Sequence, residues 1–269
     1  MKRLSKFLLA AAGIVGVLTG ALVWIFLTGS MPLEDGVELA EGNVIVVADR
    51  SVGPIPAAAY LFRLRSGDFG LIDSTMDPEA RAIRAALARV GKKSDAIIAI
   101  FFTHDHGDHT AGALAFPNAD VYLGESVDLS QGARPAESLW HRFQRRLNSQ
   151  QQPSGEKHTI ARRLSDGGQM EVGGTTVEVF AVPGHTADSA AFLMHGVLFL
   201  GDSAAAASDG SITAAPPIFS VDRDRNMREL KKLADRLRSR RGEIRHLAFG
   251  HQGPLEGIDP LLEWAAASE

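Results

Sequence analysis

The chain has 269 residues, of which 45% are hydrophobic and 22% are charged, and its formal net charge at pH 7 is −4. That composition is ordinary for one soluble domain with an added apolar segment. The negative charge and the lack of an evident basic arm argue against nucleic acid as a partner. Because the chain has no cysteine, it has no disulfide framework and must be stabilised mainly by core burial.

The amino terminus reads as a membrane anchor. Three basic residues at positions 2, 3 and 6 precede an uncharged run over residues 7–27. As a helix this run would extend roughly 32 Å, close to the thickness of the hydrocarbon layer. The basic residues favour the cytoplasmic side. We therefore expect a basic segment (1–6), a single transmembrane helix (7–28), a linker (29–42) and one folded domain (43–269).

This arrangement predicts a single-pass protein of the inner (cytoplasmic) membrane, with its folded domain on the periplasmic or extracytoplasmic side. The alternative is a cleaved signal peptide, because Thr28, Gly29 and Ser30 form a small-residue cleavage site. The protein would then be secreted or periplasmic. In both cases the folded part lies outside the cytoplasm, and the sequence leaves the oligomeric state open.

Beyond residue 43, short apolar strands alternate with amphipathic helices, which predicts an α/β domain. Residues 78–90 are predicted as a helix, because Ile83, Leu87 and Val90 recur at helical spacing and Asp77 is a start signal. Further helices are predicted at 227–237 and 260–267. Strands are predicted at 44–47, 60–64, 69–72, 97–102, 177–182 and 198–200.

The heptapeptide THDHGDH at 103–109 directly follows the predicted strand 97–102. Three imidazoles and a carboxylate within so few residues exceed what packing requires, so the segment indicates a metal site. Residues two apart in an extended segment point the same way, so His104 and His106 can reach one ion. Gly107 allows a turn, after which Asp108 and His109 can reach a second ion.

Three further candidate ligands follow apolar strands, each directly after a glycine. They are His185 after Gly184, Asp202 after Gly201, and His251 after Gly250. Glycine permits the sharp turn or close backbone approach that presents one side chain to a crowded site. Singly, each could be a cap or a hydrogen-bonded loop residue, but their recurrence favours a shared metal centre.

These segments, together with Asp73 at the end of strand 69–72, resemble the metallo-beta-lactamase superfamily in motif and order. The resemblance covers roughly residues 43–251 and implies an αββα four-layer sandwich, with the ligands along one sheet edge. It implies that His104, His106 and His185 hold one metal and that Asp108, His109 and His251 hold the second. Asp202 would bridge both metals, and Asp73 would orient a ligand.

The implied chemistry is hydrolysis. Two divalent ions, expected to be Zn²⁺, would acidify a bridging water and supply hydroxide at neutral pH. Asp108 would also act as a catalytic residue that orients this nucleophile and carries a proton to the leaving group. The expected substrate is an ester, thioester, lactone or amide of a small molecule. The alternative is a one-iron (Fe²⁺) oxidoreductase that resembles persulfide dioxygenases of the same superfamily.

Differences from individual branches of the superfamily restrict the expected activity further. The absence of cysteine and the presence of Asp202 are unlike the antibiotic-hydrolysing branches, and the ligand set is closer to that of glyoxalase II. Glyoxalase II carries a helical carboxyl-terminal glutathione domain, whereas residues 252–269 suffice for one helix. Lactonases are similar in size, but neither Tyr60 nor Tyr122 can be matched to their active-site tyrosine.

Two segments interrupt the ligand-bearing framework. Residues 125–158 include an amphipathic helical stretch that could form a lid, pack on the sandwich edge or contact lipid headgroups. Residues 203–222 could form an apolar pocket wall or a plain connection. The remaining histidines are assigned no metal role: His141, His158, His195 and His246.

Overall fold

The computed structural model describes residues 29–51, 54–126 and 160–268. Within these ranges two mixed β-sheets pack face to face and helices cover both outer faces, which confirms the αββα sandwich. No helix in these ranges has both the length and the apolar character needed to cross a membrane. The predicted anchor at 7–28 lies outside the described residues.

The first sheet is built from the amino-terminal half of the chain. Its first four strands pair in antiparallel fashion, and β4 to β7 pair in parallel. In the described part of the chain its strands, in spatial order, are β1 (Glu38–Leu39), β2 (Val44–Asp49), β3 (Ala57–Arg63), β4 (Phe69–Ile72), β5 (Ile97–Phe102), β6 (Asp120–Gly124) and β7 (Ile160–Leu164).

The second sheet is built from the carboxyl-terminal half, in the order β15-β14-β11-β10-β9-β8, with one parallel pair, β11 and β14, among the described strands. A separate antiparallel ribbon is formed by β12 and β13. The bounds are β8 (Gln169–Val172), β9 (Thr175–Ala181), β10 (Ala190–Met194), β11 (Val197–Gly201), β12 (Ala204–Ala206), β13 (Ile212–Ala214), β14 (His246–Phe249) and β15 (Leu255–Glu256).

The helices are α1 (Arg81–Arg89), the short α2 (Gly107–Thr110), α3 (Arg223–Leu237) and α4 (Asp259–Ala267). The buried face of α1 packs on the first sheet, and α3 and α4 pack on the second. Short 3₁₀ turns occur at Ser94–Ala96, Ala111–Ala115, Pro217–Phe219 and Arg238–Arg240.

The core between the sheets is apolar and rich in aromatic rings. Tyr60 packs edge-on against Phe199, with ring centroids 5.1 Å apart, and Phe101 packs similarly against Phe192 at 5.4 Å. Each contact joins a strand of the first sheet to a strand of the second. Burial of such side chains contributes roughly 1.5–3 kcal/mol each, so this layer holds the two sheets in fixed relation.

The predicted strands 69–72 and 97–102 have the observed bounds, but the first helix begins later than predicted. It starts at Arg81 because residues 77–80 form a turn: Ala80 N–H donates to the Asp77 carbonyl at 2.8 Å, and Ala80 has a φ of 49°. The Asp77 carboxylate accepts hydrogen bonds from the backbone N–H groups of Glu79 and Arg81, both at 3.1 Å. Asp77 therefore organises the turn before the helix.

Residues 29–42, expected as a linker, contact the folded domain in the structure. Leu33 and Leu39 are buried in the core between the sheets, and Leu39 belongs to β1. Ser30 forms an isolated bridge with Ala207. The folded unit thus begins before residue 43, because these apolar side chains cover the edge of the sandwich.

Candidate metal centre

The candidate ligands lie where strands of both sheets end, rather than along the edge of one sheet as expected. From the first sheet, β5 ends at Phe102 and leads into His104 and His106, and α2 then carries Asp108 and His109. From the second sheet, β9, β11 and β14 end just before His185, Asp202 and His251. The centre therefore exists only when the two sheets are packed together.

Three histidines form the first group, which we call the three-histidine group. The His104 Nε2 atom lies 3.0 Å from His106 Nδ1 and 3.3 Å from His185 Nε2, and the last two atoms are 3.1 Å apart. Nitrogen ligands about 2.0–2.1 Å from a tetrahedral ion are separated by roughly 3.3 Å. The three nitrogens therefore fit one face of a zinc-like coordination sphere.

Asp108, His109 and His251 form the second group, which we call the carboxylate group. The Asp108 Oδ2 atom lies 3.5 Å from His251 Nε2 and 3.9 Å from His109 Nε2. His109 Nε2 is buried and makes no hydrogen bond within the described residues. A buried nitrogen without a partner is costly, and a metal ion at this position would supply one.

Asp202 lies between the two groups. Its Oδ2 atom is 3.2 Å from His251 Nε2 and 3.8 Å from His185 Nε2, and its Oδ1 atom is 3.5 Å from His109 Nε2. One carboxylate therefore faces donors of both groups. This is the position that a bridging ligand occupies in a two-metal site.

Hydrogen bonds to the far sides of the rings orient two of the histidines. The His109 Nδ1–H group donates to Asp73 Oδ2 at 2.8 Å, and His251 Nδ1–H donates to the Pro56 carbonyl at 2.7 Å. Because a carbonyl or carboxylate can only accept, Nδ1 carries the proton in both rings. Nε2 of each ring is then directed towards the centre, as ligating histidines require.

Thr103 extends this network to the other group. Its backbone N–H and its hydroxyl both donate to the Asp73 carboxylate at 2.8 Å. The hydroxyl oxygen then accepts from His104 Nδ1–H at 3.0 Å. His104 Nε2 is therefore the unprotonated nitrogen that can bind a metal ion. Asp73 has a φ of 56°, a strained conformation that this bonding stabilises.

The two groups differ in protonation. Burial and the neighbouring His109 ring hold the pKa of His104 well below its ordinary value, and burial lowers the pKa of His185 to about 3. These rings are neutral and can bind a cation directly. Burial also opposes a charge on His251, but Asp202 and Asp108 outweigh it and raise its pKa to about 9.

The same carboxylates act on His109, whose pKa lies well above its ordinary value despite burial, because of Asp202, Asp73 and Asp108. Burial favours protonated carboxyl groups at Asp108 and Asp202, but the facing rings of His251 and His109 keep both pKa values below the ordinary value. A cation in the carboxylate group would replace the imidazolium protons as the counter-charge.

Among the described residues, the site is closed at its base and open on one side. His104, His109 and His185 are almost fully buried, whereas the side chain of Asp108 is 30% exposed. Gly250 forms part of the wall, because an added Cβ would lie 1.9 Å from Asp202 Oδ1. Small molecules can therefore approach from the Asp108 side, and backbone without a side chain is required behind Asp202.

All seven predicted ligands lie together in this centre, with Asp73 hydrogen-bonded to His109. Outside this set, His195 hydrogen-bonds to the Arg63 carbonyl, and the Tyr60 hydroxyl hydrogen-bonds to the backbone of Phe249. His141, His158 and most of the predicted lid at 125–158 lie outside the described residues. The sequence did not predict that Thr103, the first residue of the histidine motif, connects Asp73 with His104 through hydrogen bonds.

The fold and site define an αββα protein with a candidate two-metal centre between its sheets. The sequence profile described as the metallo-beta-lactamase superfamily matches residues 52–251. The chain therefore belongs to the metallo-beta-lactamase superfamily.

Relatives and solved structures agree with this family. Hydroxyacylglutathione hydrolase of Aeromonas hydrophila is 29% identical over 163 residues, which cover 59% of this chain and 51% of the relative. The protein of that name from Gloeothece citriformis is 27% identical, with 66% and 62% covered. The chain thus spans about half to three fifths of these relatives' length.

A crystal structure of a metallo-beta-lactamase family protein from Thermus thermophilus superimposes with a TM-score of 0.56 at 23% identity. The match covers 84% of this chain and 79% of the other. At this identity the likeness concerns the fold.

Proposed function

We propose that this protein is a metal-dependent hydrolase that cleaves an ester, thioester, lactone or amide bond of a small molecule. One observation carries the proposal: seven buried or half-buried donors from both sheets converge in two adjacent groups that share Asp202. Packing alone gives no reason to bury so many histidines and carboxylates together. A centre of this kind is typical of two-metal hydrolysis.

Zinc fits the donor set best. Imidazole nitrogens with carboxylate oxygens suit Zn²⁺, and the donor spacing of the three-histidine group matches tetrahedral ligation. The three-histidine group would hold one ion and the carboxylate group the other, with Asp202 shared. When bound, the two ions supply a water acidified towards neutral pH and an electrophile for the substrate oxygen.

Asp108 is the proposed proton carrier of the reaction. Its side chain is the most exposed carboxylate of the centre, and its Oδ2 atom lies at the open side, 3.5 Å from His251 Nε2. A carboxylate there can accept a hydrogen bond from the attacking water and deliver the proton to the departing oxygen, sulfur or nitrogen. The neighbouring His251 ring is tied to Pro56 and therefore cannot rotate to take over this role.

Among the possible substrates, a thioester with an apolar or weakly polar acyl group is our first choice. The relatives named hydroxyacylglutathione hydrolase suggest the thioester. Ile218 and Val221 are 48% and 49% exposed on the segment that precedes α3. Val221 N–H donates to the His185 carbonyl at 3.0 Å, so this apolar segment is attached to a metal-binding loop. It offers surface for an acyl chain.

Metal content is the first test. The full chain, purified without chelators or added metal, should contain close to two zinc ions by elemental mass spectrometry, and should hydrolyse a hydroxyacylglutathione thioester. One iron per chain would overturn the proposal in favour of the sulfur-oxidising alternative.

Asp108→Asn tests catalysis itself, with Asp105→Asn as the matched control. Asp105 lies in the same loop but is exposed and belongs to neither group of donors. We expect the turnover number to fall by about 100-fold or more in Asp108→Asn, the usual effect of losing a general acid–base group. The control should retain its activity. Equal activities of the two variants would contradict the role of Asp108.

We also propose that residues 7–27 anchor the protein in the inner membrane with the catalytic domain on the periplasmic side. The basic residues before this uncharged run support that orientation. A phosphatase reporter fused after residue 268 should be active, and the protein should stay in the membrane fraction after carbonate washing. Release into the soluble fraction would favour signal cleavage instead.

A further inference from the structure

We propose that the buried hydroxyl of Tyr60 is a positioning group for the carboxylate group of the metal centre, acting through the backbone that carries His251. The inference rests on the metal site of the proposed function but not on its substrate. Tyr60 lies on β3 of the first sheet, whereas His251 follows β14 of the second. The hydroxyl therefore links two parts of the molecule that are distant in sequence.

The link consists of two hydrogen bonds to a single residue. Tyr60 Oη donates to the Phe249 carbonyl at 2.6 Å and accepts from the Phe249 backbone N–H at 3.0 Å. The side chain thus satisfies both polar backbone groups of the last residue of β14. Tyr60 is 2% exposed, so no water can replace it without rearrangement.

Two further hydrogen bonds join the residues before Tyr60 to the residues after Phe249. The Ala58 N–H group donates to the Gly250 carbonyl at 2.8 Å, and His251 Nδ1–H donates to the Pro56 carbonyl at 2.7 Å. Residues 60 and 58 of β3, with residue 56 just before it, thereby hold the consecutive residues 249, 250 and 251. We call this set of contacts the β3 clasp.

Tyr60 is the member of the β3 clasp whose side chain matters. The contributions of Pro56 and Ala58 come from backbone atoms that most residues could supply, whereas only a hydroxyl on a long rigid side chain can reach Phe249 from β3. Burial raises the pKa of Tyr60 far above its ordinary value, so the hydroxyl keeps its proton and can both donate and accept.

The same ring also packs on the strand that leads to Asp202. Tyr60 contacts Phe199 edge-on, and Phe199 lies on β11, which ends at Gly201. Gly250 N–H donates to the Gly201 carbonyl at 3.1 Å, which ties the two ligand-bearing strand ends together. The ring thus supports the strand that leads to Asp202, and the hydroxyl supports the strand that leads to His251; the nearest donor atoms of these two ligands are 3.2 Å apart.

The three-histidine group has no part in the β3 clasp. His104 and His106 follow β5, and His185 follows β9, so their loops are attached elsewhere. Removal of the Tyr60 hydroxyl should therefore affect the two metal positions unequally. A residue with only a general stabilising role would weaken both positions together.

The test compares Tyr60→Phe with Tyr122→Phe. Tyr122 is also buried between the sheets, where it stacks on Phe101 at 4.7 Å, but its hydroxyl bonds to Asp120 of its own strand. Each variant loses one hydroxyl from the same core layer. Zinc affinity of each position is measured by chelator competition, and metal per chain by elemental mass spectrometry.

We expect Tyr60→Phe to lower the zinc affinity of the carboxylate group by about 10–100-fold, as loss of an outer partner does, while that of the three-histidine group stays unchanged. Tyr122→Phe should retain both affinities. Equal loss at both positions, no loss at either, or failure of Tyr60→Phe to fold would overturn the proposal.

Hydrogen exchange supplies a readout that needs neither metal nor substrate. Peptides covering residues 246–256 should exchange faster in Tyr60→Phe than in the parent, and peptides covering 180–190 should not. Wild-type protein that binds fewer than two metals would contradict the proposed function, and unchanged exchange at 246–256 would contradict the role of Tyr60. The two failures are therefore distinguishable.

Discussion

The three-histidine group and the carboxylate group lie side by side, but the protein supports them differently. The first consists of almost fully buried or half-buried rings whose nitrogens are already within 3.0–3.3 Å of one another. In the second, Asp73 and Pro56 accept hydrogen bonds from the Nδ1 atoms of the two rings. The Asp108 Oδ2 atom lies 3.5 and 3.9 Å from the two Nε2 atoms. The second group thus depends on more distant parts of the fold.

The difference suggests that the two positions can be separated by mutation. The three-histidine group carries no negative charge of its own, whereas the carboxylate group brings Asp108 and shares Asp202 with its neighbour. Loss of a shared residue should affect both positions, and loss of a supporting residue should affect one. The following variants test that separation, from the largest expected effect to the smallest.

Asp202→Asn should have the largest effect, because Asp202 faces donors of both groups. An amide brings no negative charge and offers one oxygen, so we expect loss of metal from both positions, beyond the roughly 10–100-fold cost of losing an outer partner. Metal per chain and turnover on the thioester are the measurements. Two tightly bound zinc ions in this variant would disprove a shared role.

Gly250→Ala should be the next most severe change. The added Cβ would lie 1.9 Å from Asp202 Oδ1 and 2.7 Å from His109 Cε1, so both side chains must move. Gly242→Ala is the matched control, because a Cβ there meets no atom within 4 Å. We expect metal loss in Gly250→Ala alone, measured by chelator competition. Equal affinities in both variants would show that the wall behind Asp202 is not needed.

Asp73→Asn should have a smaller effect, confined to zinc binding at the carboxylate group. The amide offers one acceptor oxygen instead of two to the donors of Thr103 and His109, and it lacks the charge that faces His109 Nδ1–H at 2.8 Å. We expect about 10–100-fold weaker zinc binding at the carboxylate group. Asp68→Asn serves as the control, since Asp68 lies outside the metal centre and its carboxylate accepts from the hydroxyl of the nearby Ser66. A uniform loss at both positions would indicate that Thr103 transmits the change to His104.

Glu178→Gln should have the smallest effect and leave both metal positions intact. Glu178 lies on β9 and makes two hydrogen bonds with Arg240, at 2.8 and 2.6 Å, which hold its pKa below the ordinary 4.5. Its ionised form therefore stabilises the fold above about pH 4.5, and this contribution disappears as the pH falls through the lower folded pKa.

Urea unfolding at pH 7 and pH 3 measures this contribution. At pH 7 the variant should be less stable than the parent by at most about 1 kcal/mol, and the difference should shrink at pH 3. A difference that grows on acidification would contradict the assigned ion pair. Altered metal content would show that the centre is sensitive to changes anywhere in the second sheet.

Local pattern was enough to predict several elements. The apolar run before the histidine motif gave the bounds of β5, and the helical spacing of Ile83 and Leu87 gave the buried face of α1. The start of α1 was predicted too early, because the positive φ of Ala80 depends on a turn closed by Asp77. Short strands such as β12 and β13 were missed, because three residues of small side chains carry little periodicity.

The ligand candidates could be named because metal chemistry restricts residue types and because glycines precede three of them. The residues that hold these ligands in place could not be predicted from the sequence. Nothing in the sequence around Tyr60 indicates that its hydroxyl reaches Phe249, 189 residues further along the chain. The same is true of Pro56, whose contribution is a backbone carbonyl that has no sequence signature.

By itself, the sequence determined the α/β class, the candidate donors and the chemistry they favour, because periodicity and ligand type are local properties of the chain. Only the tertiary structure decided which donors share an ion-sized space, that both sheets supply them, and that Asp202 lies between the groups. These are consequences of packing one sheet on the other, which brings strand ends together regardless of their distance in sequence.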